Sequence, residues 1–270
     1  MTIDKKISVK YLREKKKKGE KIVALSVYDA TTAKFAEEAG VELLLVGDSL
    51  GMTVLGYKNT IPVTIEESIH HCKAVSRGAK LAFLVGDMPF MTYSVSPEQA
   101  MLNATRYLQE AHFDAVKVEG GKHIAPTVER MTRAGIPVMG HIGLLPQSFL
   151  TKGAYEICGK TEKDAKALIE DAKALESAGA FSIVIECVSS TVATEITKSV
   201  AIPTIGIGAG KECDGQIQVV NDILGLFPDF TPKHSHKYSD IGKHIKIALS
   251  EYSCDVKKSR FPFNENQFDI

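Results

Sequence analysis

Val41-Glu42-Leu43-Leu44-Leu45-Val46-Gly47-Asp48-Ser49-Leu50-Gly51 joins four consecutive apolar residues to a glycine, a carboxylate and a hydroxyl. An uninterrupted apolar run of this length reads as a strand covered on both faces, as parallel sheets require. The design recurs three times. Leu81-Ala82-Phe83-Leu84-Val85-Gly86 ends in Asp87, Ala115-Val116-Lys117-Val118 in Glu119, and Ser182-Ile183-Val184-Ile185 in Glu186. Four buried strands that each deliver an acid at the C-terminal end point to a (β/α)8 barrel, where those ends share one face and carry the chemistry.

Working outward, strands alternate with capped helices. Ser8 and Gly19 bracket a short polar helix, Thr64 with Glu67 forms a capping box, and Ser96-Pro97 opens another helix. Further strands are expected at Ile22–Val27, Pro137–His141, Thr204–Gly208 and, with the weakest pattern, Ile217–Leu224. About eight β/α units favour closure over the alternative, a doubly wound open sheet. The 270 residues suit one α/β barrel domain, with residues 1–20 as an N-terminal helix and 228–270 as a C-terminal helix and tail. That tail is open to docking on its own barrel, on a neighbouring subunit, or on nothing. Gly51 to Pro62 reads as a Gly-rich loop. Residues 143–160 form a long irregular connection of a kind usually reserved for function.

Composition narrows the classes. Lys plus Arg equals Asp plus Glu at 33 each, so no net field argues for nucleic acid. Lys15 to Lys18 reads as a solvated helix face, since no aromatic residues interleave it. Five cysteines without a C-x-x-C pair fit a reduced, cytoplasmic setting and argue against a cysteine zinc site. Neither a signal peptide nor a membrane span is expected.

Asp48, Asp87 and Glu119 at neighbouring strand ends make an oxygen-rich cluster that would repel itself without a cation. A hard divalent ion such as Mg2+ resolves this and leaves positions for a chelating substrate; pairing with lysine or helix capping is the plainer alternative. Lys117 shares a face with Glu119, where an ammonium suits a substrate carboxylate. Glu186, between Ile185 and Cys187, reads either as a desolvated general base or as half of a structural ion pair. His141 suits a substrate contact or a satisfied structural role, and His70-His71 reads as surface. Gly206-Ile207-Gly208-Ala209-Gly210 lacks the third-glycine spacing and downstream acid of a dinucleotide site. Residues alone therefore stop at a divalent-metal 2-oxo-acid lyase or transferase that works by enolisation.

The wording of the motifs goes further. Gly47-Asp48-Ser49-Leu50-Gly51-Met52, Leu55-Gly56-Tyr57, Pro62-Val63-Thr64, Gly86-Asp87-Met88-Pro89-Phe90-Met91, Lys117-Val118-Glu119-Gly120-Gly121, Gly140-His141-Ile142-Gly143-Leu144, Glu186-Cys187-Val188 and Ile202-Pro203-Thr204-Ile205-Gly206-Ile207-Gly208-Ala209-Gly210 resemble the ketopantoate hydroxymethyltransferase family. The resemblance runs from Ile7 to Phe263. It implies a barrel of the phosphoenolpyruvate/pyruvate-binding type. The implied reaction moves a hydroxymethyl group from 5,10-methylenetetrahydrofolate to 3-methyl-2-oxobutanoate, giving 2-dehydropantoate for coenzyme A synthesis. It implies magnesium at Asp48, Asp87 and Glu119, oxo-acid contacts at Asp48, Ser49, Asp87 and Lys117, and Glu186 as proton acceptor. It also implies self-association, often as homodecamers, with neither nucleic acid nor membrane as partner. Two departures stand out: Gly86 where Ala is expected, and Lys152-Gly153-Ala154-Tyr155 in place of Gly-Gly-Tyr. The competing readings are a C–C lyase on the same barrel, with Cys158 its candidate loop cysteine, and a non-catalytic oxo-acid sensor.

Overall fold

A computed structural model of the chain describes residues 3–152, 156–227 and 232–268. It forms two compact units, Met1–Val219 and Val220–Ile270. In the first, α1 (Val9–Lys18) leads into β1 (Ile22–Ser26), α2 (Ala30–Glu38), β2 (Leu43–Val46), α3 (Leu50–Thr53), α4 (Ile65–Gly78) and β3 (Phe83–Asp87). There follow α5 (Pro97–Glu110), β4 (Ala115–Glu119), α6 (Ala125–Arg133), β5 (Val138–Gly143), α7 (Phe149–Lys152) and α8 (Glu162–Ser177). β6 (Ser182–Glu186), α9 (Ser190–Ser199), β7 (Thr204–Ile207) and β8 (Gly215–Val219) complete the unit. The eight parallel strands close in chain order, β8 pairing with β1 from Ile22↔Gly215 to Ser26↔Val219. The barrel expected from the alternating pattern is therefore present.

Alternate strand residues fill the barrel. Ala24, Leu43, Val85, Ala115, Met139 and Ile217 belong to one apolar cluster that also takes in Ile7 and Leu12 from the N-terminal segment. The next residues along the same faces are Asp87, Lys117, Glu119, His141 and Glu186, so the strand period that packs the core also turns the polar groups into the mouth.

The helix starts follow the predicted caps. Ser8 accepts from the Tyr11 amide, Thr64 and Glu67 form the reciprocal box, and Ser96 accepts from the Gln99 amide. Three expectations need correction. The eighth strand lies earlier than Ile217–Leu224: Gly215-Gln216-Ile217-Gln218-Val219 alternates and pairs, whereas Val220–Ile223 coils into α10. The Gly51–Pro62 segment is not all loop, because α3 covers its start. The lysine run is also only half solvated. Lys15 Nζ lies 2.6 Å from Glu42, which is buried and also accepts from the Tyr11 hydroxyl and the Val23 amide. Lys16 Nζ reaches Asp214 and the carbonyls of Thr197 and Ile202. Helix α1 thus clasps residues near β2 with one lysine and residues near β7 and β8 with the next.

The second unit holds α10, a turn in which the Ile241 amide donates to the Leu224 carbonyl, and α11 (Ile241–Lys257). No residue of α11 is buried, and Phe261 packs edge-to-face on Tyr252 and Phe263. Gly153-Ala154-Tyr155 and Pro228 to Thr231, which carried part of the loop departure and the expected start of the tail, lie outside the described residues. No helix among the described residues is long and apolar enough to cross a membrane.

Candidate active site

Register brings the predicted acids together. Asp87 stands opposite Lys117 across β3–β4, and Glu119 opposite His141 across β4–β5. Lys117 Nζ lies 2.8 Å from Asp87 Oδ1 and 3.8 Å from Glu119 Oε1. Asp48, just past β2, joins the group by donating its amide to Asp87 Oδ2 at 3.0 Å. His141 Nδ1 sits 3.2 Å from Lys117 Nζ and 3.5 Å from Glu119 Oε1, while Nε2 is 3.1 Å from Glu186 Oε2. β6 follows β5 in the barrel, so His141 links Glu186 to the acid cluster. Asp48, Asp87, Lys117, Glu119 and His141 are buried; the Glu186 side chain keeps 18% exposure, so it is less desolvated than its flanking residues suggested. Gly143 lets these strands approach: its φ is +96°, and a Cβ there would meet the Glu186 carbonyl oxygen at 2.3 Å.

Charge balance explains the protonation preferences. Burial, then the Asp87 and Glu119 charges, push Asp48 well above the ordinary carboxylate range. Burial also raises Asp87, although Lys117 opposes it. Burial would raise Glu119 too, but the contact with His141, the Lys117 charge and the Gln147 amide hold it low. Burial works against the Lys117 ammonium, yet the three surrounding carboxylates keep it charged. Burial and Lys117 also oppose a charge on His141, but its contacts with Glu119 and Glu186 prevail and lift it to about 9. The residues in the mouth are a coupled set rather than independent acids and bases.

Ser49 faces a different neighbour. Its hydroxyl lies 2.8 Å from the Tyr28 hydroxyl, and the Tyr28 carbonyl is held by His71 Nδ1 at 2.7 Å. His71 is therefore a bracing residue rather than plain surface. Gly47 makes room for this arrangement, since a Cβ there would come within 2.9 Å of Ser49 Oγ.

Two buried residues of the site escaped sequence reasoning. Tyr93 lies in the connection after β3, and Gln147 in the Pro146–Ser148 turn after β5. Gln147 Nε2 donates to Asp48 Oδ2 and to the Met88 carbonyl, both at 3.0 Å, and its amide N–H donates to Glu119 Oε2 at 3.1 Å. Tyr93 stands 2.9 Å from Gln147 Oε1 and accepts from the Glu119 amide at 3.1 Å. The only signal was the length of the 143–160 connection, which flagged a functional loop without naming its residue.

The donor set suits a divalent cation. Asp48, Asp87 and Glu119 offer hard oxygens, and Asp87 Oδ1 and Glu119 Oε1 are buried against the Lys117 ammonium and the His141 ring, so these oxygens already face positive charge. Two of the three acids are raised, first by burial and then by the negative charge of their neighbours. Among the described residues no three ligating side chains already stand in a finished metal-binding arrangement, so the fit lies in donor chemistry and charge.

Comparisons with known proteins agree with the motifs. Residues 6–264 match the family model described as ketopantoate hydroxymethyltransferase. The chain is 52% identical over 263 residues to 3-methyl-2-oxobutanoate hydroxymethyltransferase of Dehalococcoides mccartyi strain CBDB1, covering 97% of this chain and 94% of that protein. It is 52% identical over 264 residues to the Syntrophus aciditrophicus protein of the same name, covering 98% and 97%. In fold it is similar to 2,3-dimethylmalate lyase of the phosphoenolpyruvate mutase/isocitrate lyase superfamily, with a TM-score of 0.60, 16% identity, and 97% and 91% coverage.

Proposed function

Because the chain belongs to the ketopantoate hydroxymethyltransferase family, we propose that its buried acid cluster is where 3-methyl-2-oxobutanoate is deprotonated and hydroxymethylated. The family relation makes it a transferase producing 2-dehydropantoate in the pantothenate pathway, and it sets aside the lyase and the sensor. One observation carries the assignment to this site: Asp48, Asp87, Lys117, Glu119, His141 and Glu186 meet at the ends of successive strands, in one electrostatically linked set.

Asp48, Asp87 and Glu119 would hold Mg2+ or another divalent ion. Such an ion supplies Lewis-acid polarisation of the keto oxygen, worth several kcal/mol. Lys117, whose charge the surrounding carboxylates favour, would bind the oxo-acid carboxylate, with Asp48, Ser49 and Asp87 as further contacts. Glu186 accepts the C3 proton, and the His141 imidazole beside Oε2 orients that carboxylate. In the balanced reaction the C3–H bond breaks and a C3–CH2 bond forms to the methylene carbon of 5,10-methylenetetrahydrofolate. Both C–N bonds of that carbon break, water supplies the hydroxyl, and the C3 proton and the remaining water proton go to the two nitrogens of the departing tetrahydrofolate. Family resemblance supports a cytoplasmic setting and a ring assembly, often decameric.

The test follows the C3 proton of 3-methyl-2-oxobutanoate by NMR in D2O, with protein and MgCl2 but no folate. Loss of the signal, stopped by EDTA, is the expected result, and 2-dehydropantoate should appear once methylenetetrahydrofolate is added. Neither exchange nor product would overturn the site assignment.

A further inference from the structure

We propose that Gln147 is the positioning residue of this site: it ties down one oxygen of Asp48 and one of Glu119, leaving each acid's second oxygen for a divalent ion or the oxo acid. This rests on the functional reading above and goes beyond it, because Gln147 is not among the residues that the motifs bring to the chemistry.

The network fixes the amide's orientation. Tyr93 accepts from the Glu119 amide, and its own proton has Gln147 Oε1 at 2.9 Å and the Glu119 carbonyl at 3.1 Å as acceptors, so the acceptors facing Nε2 decide the orientation. Gln147 Nε2 then faces two acceptors, Asp48 Oδ2 and the Met88 carbonyl, and has two hydrogens for them. Exchanging the amide oxygen and nitrogen would set an oxygen against both acceptors, so only one placement satisfies every group. The main chain of the same residue supplies the third tie, to Glu119 Oε2. The Met88 amide in turn donates to the Lys117 carbonyl. One buried residue therefore couples the ends of β2 and β3 through its side chain and the end of β4 through its main chain. Glu119 Oε1 takes no tie from Gln147; its neighbours are His141 Nδ1 at 3.5 Å and Lys117 Nζ at 3.8 Å, longer contacts that leave it open to another ligand.

Hydrogen-bond partners of metal ligands typically change metal affinity by about 10–100-fold when removed. The experiment measures the MgCl2 dissociation constant calorimetrically for the full-length wild-type chain, Gln147→Met and Tyr93→Phe, without substrate. Gln147→Met keeps the length of the side chain and the main-chain N–H but removes the fork to Asp48. Its dissociation constant should rise about 10–100-fold while its thermal midpoint stays near wild type. Tyr93→Phe, which removes the hydroxyl holding the amide, should weaken Mg2+ binding in the same direction by roughly 3–10-fold, less than the loss of the amide itself. Should Gln147→Met fail to fold, Tyr93→Phe decides alone. Wild type that binds with variants within twofold of it overturns this role and leaves the functional reading standing. Wild type that binds no Mg2+ overturns both.

Discussion

Gly86→Ala is expected to loosen the site from behind. Gly86 precedes Asp87 on β3, and an added Cβ would lie 2.2 Å from Cδ1 and 2.7 Å from Cε1 of Tyr107. Carbon atoms settle at about 3.5–4.0 Å, so the ring would have to retreat by more than about 1 Å. It has little freedom to do so. Tyr107 is fully buried, and its hydroxyl is held 2.9 Å from both Ser68 Oγ and the Asp87 carbonyl. Overpacking of this kind costs ~1–3 kcal/mol, and losing one of those hydrogen bonds adds ~0.5–1.5 kcal/mol. At ~2–4 °C per kcal/mol for a chain approaching this size, the midpoint should fall by roughly 3–18 °C. Calorimetry on Gly86→Ala, Tyr107→Leu and the double variant separates the cause. With the ring gone the methyl should fit, giving a coupling energy of about 1–3 kcal/mol. Equal costs for the methyl in both backgrounds, or no change in midpoint, would refute the packing argument. The alanine expected by resemblance thus has no room beside this tyrosine.

Glu186→Gln preserves an acceptor for His141 but removes the proton acceptor, so C3 exchange should fall ~10²–10⁴-fold while Mg2+ affinity stays within about twofold, its ligands being untouched; retained exchange would take Glu186 out of the base role. Raised Asp48 and Asp87 mean that the folded, ion-free chain binds protons more tightly than the unfolded one. Their contribution therefore falls as pH rises from the ordinary carboxylate range through the raised values; Glu119, held low, runs the other way in acid. Mg2+ competes with those protons, so at 100 times its dissociation constant it should add ~2.7 kcal/mol at pH 8 and less at pH 5. Thermal melts with Mg2+ against EDTA check this, and a larger effect in acid would contradict it. Glu42→Ala leaves the Lys15 ammonium and the Val23 amide without their carboxylate and should cost ~3–5 kcal/mol. Urea melts read the loss, and faster tryptic cleavage within α1 reads its release; unchanged cleavage would show that other contacts hold the helix.

The barrel and the acids gathered at its strand ends were legible because both follow from short-range pattern. A strand buried on two faces must be apolar throughout, so Asp48, Asp87, Glu119 and Glu186 stand out as the residues that end the runs. Gln147 and Tyr93 carry no such contrast. Each lies in a connection whose path is set by tertiary packing, and a lone glutamine or tyrosine in a loop has many equivalent roles. The eighth strand was misplaced for a related reason. Val219, Val220, Ile223 and Leu224 look like a continuing apolar run, but the strand is defined by its pairing with β1 and β7, nearly two hundred residues and ten residues away respectively. Lys15 and Lys16 mislead in the opposite direction, since their burial depends on Glu42 and Asp214, which only the closed barrel brings near.

The clasp made by α1 also sets a schedule for synthesis. The partners of Lys16 at Thr197 and Ile202 lie 181 and 186 residues downstream. At roughly 5–20 residues per second, the first helix emerges about 10–40 s before the groups it must grip. Over that interval β1 has no β8 to pair with, and Ile7 and Leu12 have no closed barrel to plug. The newborn chain therefore passes through a period with an open sheet edge and an undocked apolar end. Folding helpers that recognise such surfaces have their opening then, before the last strand snaps the ring shut.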